Sequence, residues 1–480
     1  MSGLLALLLM SALLVACGGD DDDDGSNGVA GTADVSMATA LSTTAMGGSA
    51  TAVTDATATM MAEPETSDEE VSLTIGVAMT PPELATFQAG LDALMEAHPN
   101  WKLTLEQTPQ EGIIEKMNAQ IAGDDLPDIV QVQGLMAQQW IRNGVFLDLS
   151  TLAADEAFNV DDFWGGALEQ FSFADGLYAI PNTVAPDVVY INQDMFDAAG
   201  VPYPTDDWTF EDLRKIARQL TLDSDGNTPD DPNFDPASVV QWGLNVTPSN
   251  IWARHFLLPF DADPCVNVDC TEVLFDTPEV IEALEWWTAL PQEDYSAPYD
   301  PYSGNQTGVP GDPFSAGLAA MGYNGFFLVG QLNATDTMRY DVVQPPIGPN
   351  GERATVLSTN GWAIPATTGE QADAAWAVIR ELTSDTFLRE YWAAPGHAVP
   401  ARASSADAIL TDAAPENQQA ILAALDYATV FRPYTASAFE VYGRTAELFA
   451  RMMSGDLSIA EAVQQIDEVA NSILVNDREE

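Results

Sequence analysis

Strand and helix patterns that alternate between residues 71 and 132 constrain the fold of this chain more than any other feature. Residues 71–77 alternate apolar and polar side chains as a strand does, and residues 82–97 place apolar side chains on one helical face. A second strand, a second helical face and a third strand follow up to Val132. The residues therefore predict the order β-α-β-α-β. Such a unit folds as a parallel sheet with right-handed crossovers, and ligands bind beyond the carboxyl ends of its strands.

A short apolar run precedes this body and ends in a cysteine. Leu, Ala and Met residues that begin at Leu4 lead to Val15, Ala16 and Cys17. This arrangement is typical of a lipobox, in which signal peptidase cuts before the cysteine and lipid chains are attached to it. The run is shorter than the ~20 apolar residues that span a bilayer. The sequence predicts a signal peptide at residues 1–16 and an extracytoplasmic protein anchored to the cell membrane by lipid on Cys17. An ordinary signal peptide or a buried helix is the alternative.

Residues 17–70 have the composition of a tether. Gly, Ser, Thr, Ala and Asp dominate the segment from Gly18 to Glu70, which contains no aromatic residue, Lys or Arg. Such a segment cannot bury enough apolar surface to offset the entropy of ordering it. We expect a flexible spacer between the membrane and a globular body.

The body from residue 71 to about residue 476 is longer than one domain of ~100–200 residues. No linker-like stretch divides it. Two lobes joined by more than one crossover are therefore expected.

Charge excludes several classes of partner. The chain carries 73 acidic and 16 basic residues, a formal net charge of −57 at pH 7. Because this charge repels nucleic acid and anionic membrane surfaces, the sequence predicts no nucleic-acid partner and no membrane contact apart from the lipid anchor. Abundant Asp with scarce Lys also suits a saline habitat, where salt screens self-repulsion. A GC-rich genome that favours Arg over Lys explains the same composition.

Two cysteines remain beyond the lipobox, Cys265 and Cys270, in a loop of Pro, Asp and Val residues. In an oxidising compartment their spacing favours a small disulfide loop. Free thiols and metal ligation are alternatives, although a metal would need further ligands and the three histidines are scattered along the chain.

An acidic stretch from Asp223 to Asp235 carries oxygen ligands at alternate positions, as calcium loops do. Asp223, Asp225 and Asn227 are the candidate ligands. The stretch departs from the EF-hand pattern, because Gly226 falls at the fourth position and Phe234 stands where the bidentate Glu should be. A solvated acidic loop is therefore the favoured interpretation, and no metal or cofactor is expected.

Catalytic motifs are scarce. The sequence contains no G-x-S-x-G elbow, no H-E-x-x-H and no P-loop. A carboxylate pair for glycoside hydrolysis always exists in so acidic a chain, so a secreted glycoside hydrolase stays as an alternative function. An adhesion or scaffold lipoprotein is a third.

Short motifs in a fixed order carry a resemblance to a known family. They lie at residues 98–103, 123–130, 144–149, 176–181, 190–196, 199–202, 207–213, 314–321, 324–327, 360–364 and 396–402. Each is a loose apolar-plus-glycine pattern, but together they cover nearly all of the body. The chain resembles extracellular solute-binding proteins that feed ABC-type sugar importers.

The resemblance implies an α/β periplasmic-binding-protein-like fold of two lobes, each a mostly parallel sheet flanked by helices, with a hinge between them. We expect lobe 1 to comprise residues 71–182 and 323–382, and lobe 2 to comprise 183–322 and 383–480. The implied function is capture of a mono- or oligosaccharide between the lobes and its delivery to an ABC permease, by a monomer without catalysis. A polyol or a sugar phosphate is an alternative ligand.

Eleven tryptophans suit sugar binding, because flat aromatic faces stack on the C–H faces of pyranose rings while polar side chains bond the hydroxyl groups. Most of them are nevertheless expected in the core, among them Trp286, Trp287, Trp376 and Trp392, which lie on apolar helical stretches. From the strand ends and the resemblance, we predict these ligand-binding residues: Gln133, Asp187, Trp252, Asn324, Phe326, Asn360, Trp362 and Arg402.

Overall fold

The computed structural model describes residues 70–109, 112–246, 254–267, 269–299, 306, 311–335, 337–430 and 435–478, all within one compact unit. The predicted sites at Cys17 and Trp252 lie outside these residues. None of the described helices has the length and hydrophobicity that a membrane crossing requires.

Strands and helices alternate along much of the described chain. The strands are β1 (Val71–Val77), β2 (Trp101–Gln107), β3 (Ile129–Gln133), β4 (Ser172–Phe173), β5 (Gly176–Leu177), β6 (Ile180–Pro186), β7 (Val188–Asn192), β8 (Leu222–Asp223), β9 (Val239–Gln241), β10 (Met321–Asn324), β11 (Tyr340–Val343), β12 (Thr355–Ala363), β13 (Val399–Pro400) and β14 (Ala428–Thr429).

The helices are α1 (Pro81–Ala97), α2 (Ile113–Gly123), α3 (Gly134–Arg142), α4 (Ser150–Ala153), α5 (Gly165–Glu169), α6 (Gln193–Ala199), α7 (Phe210–Leu220), α8 (Arg254–Leu257), α9 (Pro278–Gln292), α10 (Phe327–Thr335), α11 (Ala372–Leu382), α12 (Asp385–Leu388), α13 (Gln419–Ala424), α14 (Ala438–Ser454) and α15 (Ile459–Leu474).

Seven strands form the larger sheet, in the order β13-β6-β12-β3-β1-β2, with β14 beside β12. β1 pairs in parallel with β2 and β3, which confirms the predicted β-α-β-α-β unit. β12 runs antiparallel to both β3 and β6. A three-stranded sheet, β10-β7-β11, is antiparallel throughout. The larger sheet is thus mixed and the smaller one antiparallel, rather than mostly parallel, because β12, β13 and β14 run opposite to β1, β2 and β3.

Two large hydrophobic cores flank strand β7. Val188 and Tyr190 belong to a first core that includes α1, α11 and α12. Val189 and Ile191 belong to a second core that includes α7, α9, α14 and α15. Because successive side chains of a strand point to opposite faces, β7 contributes side chains to both cores, one core on each of its faces.

The sheets divide the chain at positions that differ from the predicted lobe boundaries. Within the predicted segment 323–382, β12 belongs to the larger sheet, whereas β11 pairs with β7 in the smaller one. β13 and α13, assigned by the prediction to lobe 2, belong with the larger sheet and the first core. Short sequence motifs could not reveal which sheet each of these strands joins, because tertiary packing decides which distant strands pair.

Capping boxes fix the start of several helices. Thr80 precedes α1, and both its backbone N–H and its hydroxyl donate to the Glu83 carboxylate, at 2.8 and 2.7 Å. Ser458 and Glu461 form the same arrangement at the start of α15. Each box satisfies backbone groups that the first helical turn leaves without partners. Glu83 is therefore held at the end of α1 that follows β1.

Cys265 and Cys270 are joined by a disulfide in the structure. The acidic loop is organised by hydrogen bonds: the Asp223 carboxylate accepts backbone N–H groups of Asp225, Asn227 and Asp235 and the Asn227 amide, at 2.8–3.0 Å. Burial alone would raise the pKa of Asp223, but these hydrogen bonds lower it to about 2. Among the described residues, no group of His, Cys, Asp or Glu side chains is arranged to hold a metal ion.

Candidate functional site

A cavity of about 260 Å³ opens beyond the carboxyl end of β3. Its described lining comes from the start of α1, the junction of β3 and α3, the middle of β6 and β12, the start of α10, and residues 397–398 before β13. The cavity is slightly smaller than the ~300–1,000 Å³ typical of small-molecule sites. It lies where the β-α-β-α-β pattern places a ligand.

A row of polar residues crosses three neighbouring strands in this lining. Asn360 of β12 pairs with Gln133 at the end of β3 and with Thr183 of β6. A β-bulge beside Asn360 makes Asn182 the extra residue of β6. Because backbone hydrogen bonds hold the three strands, the row has a fixed spacing of ~4.8 Å between strands.

Buried hydrogen bonds hold the backbone next to this row of polar residues. The Gln170 amide donates to the Leu357 carbonyl at 2.9 Å, and the Thr359 hydroxyl donates to the Thr183 carbonyl at 2.7 Å. A Cβ at Gly134 would collide with the Gln170 side chain, so a larger residue where α3 begins would displace Gln170. The backbone around Gln133 is thus fixed by close packing.

Phe327 presents an aromatic ring to the cavity. It is 49% exposed, the one exposed Phe in the part of the chain that the structure describes. Its ring lies over Gly325, where an added Cβ would be 2.7 Å from the ring and 3.4 Å from Ala185. The buried Tyr190 hydroxyl donates to the Gly325 carbonyl at 2.8 Å and so fixes this turn. One face of the ring is packed, and the side chain still offers a large apolar surface.

Glu83 and His397 are the ionisable side chains of the described lining. Nε2 of His397 lies 3.0 Å from the Thr86 hydroxyl, one turn along α1 from Glu83. Burial lowers the pKa of His397 below its ordinary range, and the charge of Glu83 partly opposes this shift. The imidazole is therefore neutral near pH 7, and the described lining carries one negative charge.

Trp392 also lines the cavity, and it packs against Phe87, 5.9 Å between ring centroids. Its indole Nε1 is buried and has no hydrogen-bond acceptor among the described residues. Both polar side-chain atoms of Asn182 are buried in the same way. Asn182 is not part of the described lining, to which β6 contributes Thr183, Val184 and Ala185.

Of the predicted ligand-binding residues, the structure brings Gln133 and Asn360 together in this lining. Phe326 and Trp362 are not in it: they are 2% and 0% exposed and belong to the first core. Trp362 stacks on Phe87 at 5.4 Å. Phe327, one position beyond the predicted Phe326, lines the cavity instead.

Arg402 does not reach the cavity either. It is 8% exposed, and its guanidinium donates to the carbonyls of Thr383, Asn159 and Phe158 at 2.6, 3.2 and 2.9 Å. It also lies 3.3 Å from the Asp162 carboxylate. These contacts use the donors that a ligand would need, so the structure gives Arg402 an internal role.

Asp187 and Asn324 lie at the junctions of the two sheets, outside the described lining. Asp187 separates β6 from β7, and burial raises the pKa of its carboxyl group to about 7. Asn324 ends β10, and its side-chain oxygen accepts the Gly325 N–H at 3.1 Å.

The prediction from sequence missed Glu83, Phe327 and His397. Glu83 had a visible signal, since Thr80 and Glu83 match a capping box directly after the first strand. The sequence held no signal that separates Phe327 from Phe326, because both are aromatic and adjacent.

Comparison with known proteins decides the family. The sequence profile described as bacterial extracellular solute-binding protein matches residues 89–420. The chain belongs to this family. A search of curated protein sequences found no match.

Solved structures of solute-binding proteins share the fold. An ABC substrate-binding protein from Listeria monocytogenes, solved in complex with cycloalternan, aligns with a TM-score of 0.72 and 22% identity, over 84% of this chain and 99% of that one. A cyclic α-maltosyl-1,6-maltose binding protein from Arthrobacter globiformis aligns with a TM-score of 0.69 and 18% identity, over 85% of this chain and 100% of that one. Maltose-bound MalE3 from T. maritima aligns with a TM-score of 0.67 and 18% identity, over 84% of this chain and 99% of that one. The predicted two-lobe α/β fold is confirmed.

Proposed function

We propose that this protein is an extracytoplasmic receptor that binds a mono- or oligosaccharide in the cavity beside β3, β6 and β12. The observation that carries the proposal is the exposed Phe327 ring beside the polar row of Gln133, Asn360 and Thr183. An apolar ring face suits the C–H face of a sugar, and amide and hydroxyl groups suit its hydroxyl groups. Solved relatives of the same fold were obtained with cycloalternan and maltose, which supports this ligand class.

Binding would be a change of population rather than a chemical step. A ligand that contacts both lobes stabilises the closed arrangement, because those contacts exist together only when the cleft is closed. Delivery to the membrane subunits of an ABC transporter then requires no covalent change in the sugar. The protein would act as a monomer held at the membrane through lipid on Cys17, with residues 18–70 as the spacer.

Thermal unfolding against a saccharide panel tests the proposal. Glucose, maltose, maltotriose and cyclic glucans should be added to the protein, and the product mixture analysed afterwards. We expect at least one sugar to raise the unfolding midpoint and to remain intact, since a ligand at ~100 times its Kd adds ~2.7 kcal/mol to stability. Cleavage of the sugar would indicate a glycoside hydrolase, and no shift with any sugar would contradict carbohydrate binding.

Replacing Phe327 by alanine should weaken binding of the stabilising sugar by roughly 10- to 100-fold, because burial of a large apolar side chain contributes about 1.5–3 kcal/mol. Titration calorimetry measures the change. Tyr203→Ala is the matched control, since Tyr203 is an aromatic residue exposed by 37% that does not line the cavity. Equal affinities for the two variants would show that the sugar does not contact Phe327.

A further inference from the structure

Glu83 gives the cavity a fixed negative charge. Its carboxylate is half-buried in the lining and is held by two hydrogen bonds from Thr80. The described lining contains no Lys or Arg that would neutralise it. Since the capping box anchors Glu83 at the start of α1, the charge cannot move away from an entering ligand without loss of the cap.

No other described group in the lining offsets this charge. His397 forms a hydrogen bond with Thr86 and is neutral near pH 7. Several described cations are paired away from the lining: Lys116 with Glu106, Arg214 with Asp294 and Arg402 with internal carbonyls. The net charge of −57 adds long-range repulsion of the same sign.

We propose that Glu83 makes the cavity selective for uncharged saccharides and excludes their anionic counterparts, namely aldonates, uronates and sugar phosphates. The proposal rests on the carbohydrate-binding function stated above and narrows its ligand class. A unit charge about 6 Å from the carboxylate, at an effective dielectric constant of about 20, corresponds to a roughly 100-fold loss of affinity. Neutral sugars incur no such loss, because their hydroxyl groups can donate to the carboxylate.

The variant Glu83→Gln tests the effect of the negative charge while the fold is kept. Glutamine also completes a capping box, so the variant keeps the start of α1 while it removes the negative charge. Glu461→Gln is the matched control: Glu461 caps α15 through Ser458 in the same way, and it does not line the cavity. The two variants change the net charge equally and differ in where the charge is lost.

Binding should be measured by calorimetry for matched ligand pairs: maltotriose with maltotrionate, glucose with glucuronate, and glucose with glucose 6-phosphate. We expect the wild type and Glu461→Gln to bind the neutral member of a recognised pair at least ~30-fold more tightly. Glu83→Gln should reduce that ratio by at least ~10-fold. The salt concentration is kept constant, because salt screens exposed charges.

Two results would overturn the role of Glu83. One is an anionic ligand that the wild type binds within threefold of its neutral partner. The other is an equal ratio in Glu83→Gln and Glu461→Gln. If no neutral saccharide of the wider panel binds the wild type, the carbohydrate function itself is wrong, and the selectivity proposal falls with it.

Discussion

Replacement of Arg402 by alanine should lower the free energy of unfolding by about 3–5 kcal/mol, as is typical when one partner of a buried, hydrogen-bonded charge pair is removed. The guanidinium links two distant segments of the chain, because it donates hydrogen bonds to the carbonyls of Phe158 and Asn159 and to the carbonyl of Thr383. It also lies over the Phe163 ring at 4.3 Å from the centroid. Denaturant unfolding measures the loss.

Arg380→Ala provides the control for this variant. Arg380 lies 3.9 Å from Asp155 in an exposed pair, for which less than about 1 kcal/mol is expected. Sugar affinity of Arg402→Ala, measured where the variant is folded, should equal that of the wild type. A stable Arg402→Ala protein that no longer binds sugar would restore the ligand-binding role that the sequence predicted.

Asp187→Asn should stabilise the protein at pH 8 by at most ~4 kcal/mol. Asp187 is half-buried, and burial raises the pKa of its carboxyl group to about 7, against ~3.9 in an unfolded chain. A raised folded pKa means that the folded state binds the proton more tightly. Stability from this group is therefore complete below about pH 4 and is lost as the pH rises through 7.

The difference between Asp187→Asn and the wild type should accordingly be small near pH 4, grow up to pH 7 and then stay constant. Denaturant unfolding at several pH values gives this profile. Asp175→Asn, an exposed change of the same charge on the turn between β4 and β5, should show no such growth. A flat profile for Asp187→Asn would show that the ionised carboxylate is well solvated in the fold.

Local patterns in the sequence were sufficient for the architecture of the first strands. The parallel β1, β2 and β3 and the helices between them follow from alternation and helical periodicity, which depend on nearby residues. The position of Gln133 at the end of β3 follows from the same pattern. Asn360 was predicted from the family resemblance, and its pairing with Gln133 is a tertiary fact that no local pattern contains.

Side-chain roles were harder to predict, because burial and hydrogen bonding depend on distant residues. Arg402 follows Val399 and Pro400 in a loop that the resemblance places near the ligand, yet its partners at 158–162 lie about 240 positions away in sequence. The Phe326 and Phe327 pair differs only in which residue faces the core. Trp252 and Cys17 lie outside the described residues, so their predicted roles remain predictions.

The row of Gln133, Asn360 and Thr183 also bears on how such a receptor can acquire new ligands. Each position belongs to a different strand, and the backbone ladders that align the strands do not depend on which side chain each position carries. A library that varies these three residues can therefore exchange hydroxyl recognition for other polar chemistry while the scaffold is unchanged. Because the backbone pairing is independent of the side chains that would contact the ligand, the protein is a candidate starting point for engineered solute sensors.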